Sequence, residues 1–133
     1  MRYIGTAVTA LIIGVPTAAH AQAMGSMAGH AMPKGRTATI TGTVVDVSCK
    51  FGQGLSGAEH KMCAEICADR GLPLAILTDD GKLYVPTSAG MPGDGQNARL
   101  KPFAEQRVTV SGKVFAAGGA SAIQITNIAA RAR

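Results

Sequence analysis

The stretch HKMCAEIC, residues 60–67, sets one histidine and two cysteines inside eight residues, in a chain of 133 residues with three cysteines in all. Thiolate and imidazole are the ligands that borderline and soft ions favour: zinc in a tetrahedral Cys₃His arrangement, copper(I) on sulfur. If the stretch is helical, each residue turns the direction by about 100°, which puts Cys63 about 60° and Cys67 about 20° from His60, on one face. The third cysteine, Cys49, precedes the loop KFGQGLSG (50–57), whose glycines let the chain turn back over that helix. Cys49, His60, Cys63 and Cys67 are therefore the candidate metal ligands. His60 and Cys67 lie about 10 Å apart along the helix axis. One ion takes Cys49, Cys63 and either His60 or Cys67 more easily than all four.

Other chemistries fit the same residues. A disulfide from Cys49 to Cys63 or Cys67 would staple the strand to the helix and leave one thiol over. A Cys63–Cys67 bridge is less suited, because side chains one helical turn apart do not converge well. A thiol activated by His60 is a further reading, and plain burial as a small apolar side chain is another.

A second soft-ligand group lies in MGSMAGHAM, where Met24, Met27, His30 and Met32 fall within nine residues. Thioether and imidazole together suit copper. The alternative is a low-complexity linker. Asp46 is read as a solvent-facing strand residue, with an interior acid or a ligand as the other option, and Asp79 and Asp80 belong to a turn. GMPGDGQN (90–97) lacks the Lys-Ser/Thr of a phosphate loop, and no G-x-S-x-G or catalytic carboxylate pair is found. No enzymatic reaction is read from this chain.

The elements that must position these groups follow from composition. TITGTVVDVSC (39–49) is rich in β-branched residues and reads as a strand, with Gly42 marking a bend. A helix is expected over 57–70, with Ser56 as N-cap, Glu59 completing a capping box, and Gly71 and Pro73 ending it. LAILTDDGKLYVP (74–86) is a hairpin with Asp80-Gly81 in its turn. NARLKPF (97–103) has room for one helical turn. RVTVSGKVFAAGGASAIQITNI (107–128) is a second hairpin around Gly118-Gly119. Five short strands in so small a chain predict a closed or partly closed barrel, which removes exposed sheet edges. Gly42 and Gly112 stand where barrel strands bend.

The N-terminus, MRYIGTAVTALIIGVPTAAHAQA, has a positive start, an apolar run and small residues, as in a secretory signal peptide. The expected organisation is a signal peptide over 1–23, a flexible Met/His-containing tail over 24–38, and one β domain over 39–130. The expected location is periplasmic or secreted, with no membrane association after cleavage. Lys and Arg number 13 against 8 Asp and Glu, but they are scattered, and the chain has no Trp. Mild, dispersed basicity with few aromatics argues against nucleic acid as a partner. The partners expected are a metal ion, copper or zinc, or a periplasmic protein.

ITGTVVDV, LTDDGKLYV, VTVSGKVF and AIQITNI together resemble the small exported bacterial OB-fold proteins, over residues 39–128. The succession VVDVSC, HKMCAEIC, GLPLAIL is similar to a VVDxxC…HxxCAxxC pattern in a family of uncharacterised secreted bacterial proteins. The resemblance implies a mainly β fold, a five-stranded OB-like barrel with one helix inserted after strand 1. It implies no established activity.

Overall fold

The computed structural model describes residues 33–132. The strands are β1 (Arg36–Asp46), β2 (Leu74–Thr78), β3 (Leu83–Pro86), β4 (Arg107–Ala117) and β5 (Ala120–Ala130). They close into a barrel in the order β1-β2-β3-β5-β4. β1 serves both neighbours: its second half pairs with β2 and its first half with β4, antiparallel in each case. The parallel pairing of β3 with β5 closes the circuit. The fold is the mainly β, closed five-stranded barrel that the strand pattern predicts, and it agrees with the OB-like barrel that the resemblance implies. β1 starts earlier than residue 39, because Arg36 pairs with Val114 and the long β4 draws the polar start of the strand into the ladder.

Period-2 burial fills the interior. Val108, Val110 and Val114 of β4 point inward, as do Ile123 and Ile125 of β5. Each fully buried aliphatic side chain of this size stabilises the fold by about 1.5–3 kcal/mol. Gly112 sits at the register shift between β4 and β5, and a Cβ there would collide with the Gln124 carbonyl oxygen. The close approach needs a residue without a side chain, as a bulge in a small barrel does. Gly118 and Gly119, both at positive φ, make the tight β4–β5 turn.

Between β3 and β4, α3 (Asn97–Leu100) runs into a 3₁₀ turn, Lys101–Phe103. Leu100 is fully buried and belongs to the barrel core. Between β1 and β2 stands a helical insertion: α1 (Val47–Gln53), a 3₁₀ turn (Ala58–His60) and α2 (Lys61–Asp69). The stretch 50–57, expected to be a loop, is helical as far as Gln53 and a loop beyond it. Asp46 caps its start, accepting the Cys49 backbone N–H at 3.2 Å, and Gly54 in the left-handed region ends it. Short-range capping, which the apolar pattern does not display, overrides the glycine signal.

Candidate metal centre

α1 carries Cys49, which is buried, whereas the sequence placed it at a strand end. α2 starts later than expected. Gly57, at φ 104° and ψ 179°, turns the chain sharply, and a 3₁₀ turn through His60 precedes the helix. The Ser56 capping box does not form: Ser56 Oγ accepts from Lys50 Nζ at 3.0 Å instead. The Gly57 N–H is taken by Glu105 Oε2 at 2.8 Å. On α2, Ala64 and Ala68 are buried, Cys67 is half-buried and Cys63 is exposed.

Two residues of the β3–β4 connection hold this insertion on the barrel, and neither carries a signal in the sequence. Glu105 fastens its middle through Gly57. Asn97 fastens its end: Nδ2 donates to the carbonyls of Ala68 at 3.0 Å and Leu72 at 2.8 Å, and Oδ1 accepts from the Leu74 N–H at 3.1 Å. Gly71, at φ 86°, closes α2, and the Leu72 N–H reaches back to the Cys67 carbonyl at 3.0 Å. That is the bond pattern of a glycine-terminated helix. Lys101 Nζ pairs with Asp69 at 2.7 Å and adds a surface tie.

The outcome is two overlapping groups of ligand atoms. The Sγ atoms of Cys49, Cys63 and Cys67 lie within 4.8 Å of one another. Ligand atoms of Asp46, Cys49 and His60 also lie within 4.8 Å of one another. All three cysteines are free thiols. Cys49 is therefore common to a three-thiol group that reaches the surface and a mixed O, S, N group that is buried. The structure brings Cys49, Cys63 and Cys67 together, and it places His60 with Cys49 and Asp46. Met24, Met27, His30 and Met32 lie outside the described residues.

Asp46 corrects an expectation. It is fully buried rather than solvent-facing. The chain turns from β1 into α1 at this residue, so the side chain follows the helix N-terminus inward. A sequence reading had one cue available, an Asp three residues before a cysteine at the end of an apolar strand, as an N-cap would stand. Burial works to raise the Asp46 pKa, but hydrogen bonding from the Cys67 side chain, the Cys49 backbone and side chain and the Ser48 backbone outweighs it and holds the carboxyl below its usual value. Oδ1 accepts the Cys49 backbone N–H, and Oδ2 is buried without a hydrogen-bond partner. Hydrogen bonding to Asp46, then burial and the carboxylate charge, pushes the Cys67 thiol up to about 12. Burial, then Asp46, also raises Cys49. A carboxylate beside thiols keeps them protonated until a cation arrives.

His60 Nε2 is likewise buried without a hydrogen-bond partner. A buried polar atom left unpaired costs about 1–3 kcal/mol. Asp46 and His60 each bring a ligand atom within 4.8 Å of the other and of the Cys49 sulfur. The groove of about 420 Å³ lined by Thr43, Lys50, Ser56, Asp79, Glu105 and Arg107 contains no cysteine or histidine. It is separate from this cluster.

The fold and the cluster together define a small OB-like barrel whose first connection carries sulfur, carboxylate and imidazole groups close enough to hold a metal ion. Comparison with known protein families, with curated proteins and with solved structures finds no match to this chain.

Proposed function

We propose that this chain is a small exported protein that binds a soft metal ion, copper(I) or zinc, through Cys49, Cys63 and Cys67. The observation that carries the reading is the convergence of three free thiols, from two separate helices, within 4.8 Å of one another. Thiolate sulfur selects copper(I) and zinc over harder ions. Three sulfurs suit copper(I) as a complete set, and zinc with one further ligand. The exposed Cys63 gives the ion a way in, while the buried Cys49 anchors it. The leader-like N-terminus supports export, and the Met24, Met27, His30 and Met32 group supports copper before zinc.

Metal analysis of the purified, reduced chain tests the reading. The expected result is at least one tightly held copper(I) or zinc, with none held in Cys49→Ser and one ion fewer in Cys63→Ser. Retention of metal by both variants would remove the three-thiol site. The proximity of the thiols also favours a second reading, in which Cys49 bonds to Cys63 or Cys67 as a staple. A thiol count on unfolded protein without reductant separates the two: three free thiols support the metal site, and one supports the staple.

A further inference from the structure

Three thiols account for one ion, but not for Asp46 and His60. Both are at least nine-tenths buried, with exposures of 0 % and 8 %. Each presents one atom without a hydrogen-bond partner, Oδ2 and Nε2. Both atoms belong to side chains that ligate metals, and both side chains offer a ligand atom within 4.8 Å of the other and of Cys49 Sγ. Two orphaned polar atoms at the same buried thiol call for a common explanation, because native interiors leave few such groups unpaired.

Resting on the metal-binding reading above, we infer that Asp46, Cys49 and His60 form a second, buried metal position, joined to the three-thiol position through the Cys49 sulfur and suited to a borderline divalent ion of the zinc class. The donor set decides the class. Carboxylate oxygen, imidazole nitrogen and one thiolate are together the ligands of zinc, whereas copper(I) prefers the sulfur-rich outer set. Cys49 bridges because a thiolate has lone pairs for two ions. Charge supports the pairing: three thiolates and one carboxylate balance two divalent ions.

The test is titration of the reduced full chain with zinc alone, following bound zinc and the imidazole ¹⁵N resonances. The expected result is two zinc ions in the cluster, with His60 Nε2 shifting as the second binds. Asp46→Asn, which keeps a side-chain oxygen to cap α1, and His60→Ala should each bind one zinc fewer. Cys63→Ser should also lose one, while the His60 shift persists. A single zinc lost in Cys63→Ser, with His60 Nε2 unmoved and the Asp46→Asn stoichiometry unchanged, would overturn the second position and leave the three-thiol site standing. No zinc bound would overturn the second position, and no copper(I) held in the metal analysis either would remove the three-thiol site with it.

Discussion

Asp46 and Cys49 are joined through the backbone: the carboxylate that ends β1 accepts the Cys49 N–H at 3.2 Å and so fixes the turn of helix that carries the thiol. Burial and then the same carboxylate raise the Cys49 thiol, and the carboxylate and then burial push the Cys67 thiol up to about 12. One residue therefore positions a ligand and sets its proton affinity.

Asp46→Ala should separate from Asp46→Asn. Alanine removes the cap and should lower stability by about 0.5–2 kcal/mol. Asparagine keeps a capping oxygen but not the charge, so thermal stability should stay nearer wild type. In both variants the Cys67 thiol should titrate well below about 12. Thiolate absorbance against pH reads this directly, and an unchanged titration would mean that Asp46 does not act on Cys67.

Metal binding should be coupled to protons with a definite sign. Cys49 and Cys67 are raised, so both are thiols at neutral pH and must lose their protons to bind. Apparent affinity should rise about tenfold per pH unit for each proton displaced. Calorimetry in buffers of different ionisation enthalpy counts the protons, and pH-independent affinity would contradict thiolate ligation by these residues. For the metal-free protein, the raised Cys67 contributes stability that is fully present below the unfolded value of 9.0 and is lost as pH climbs toward about 12. The lowered Asp46 works oppositely: its contribution is present above the unfolded value of 3.8 and is lost as pH falls through its lower folded value. Unfolding midpoints measured across both windows should fall at each end.

Asn97→Ala should loosen the cysteine insertion from a distance. It removes three hydrogen bonds, to Ala68, Leu72 and Leu74. A cost of about 1–3 kcal/mol is expected. Amide exchange should accelerate in α2 more than in β4 and β5, and metal affinity should fall with it. Equal acceleration across the barrel would show that Asn97 holds the whole fold and not this one element.

Gly112→Ala tests the barrel itself. The new Cβ would run into the Gln124 carbonyl at the β4–β5 register shift. Overpacking of this kind costs about 1–3 kcal/mol. The melting temperature should drop while metal stoichiometry per folded chain stays the same. A wild-type melting temperature would mean that the two strands separate at no cost.

The sequence alone determined the barrel. Val108, Val110, Val114, Ile123 and Ile125 alternate with polar residues, and only a two-residue period buries all five. Gly118-Gly119 fixed the last turn, and Gly112 the bend, because backbone conformation and steric clash are local properties that a residue type declares. The sequence also named the soft ligands, since sulfur and imidazole chemistry belongs to the side chain. It could not give the partners. Whether Cys49 ends a strand or rides a helix depends on one N-cap, and apolar periodicity does not register a cap. Asp46 looked like a strand residue facing water until the turn into α1 buried it beside Cys49 and His60. Asn97 and Glu105 stand far along the chain from the insertion they fasten, and no spacing rule connects them to it. Which donors share an ion is a matter of distances across the fold, and those exist only once the barrel has closed and the insertion has docked against it.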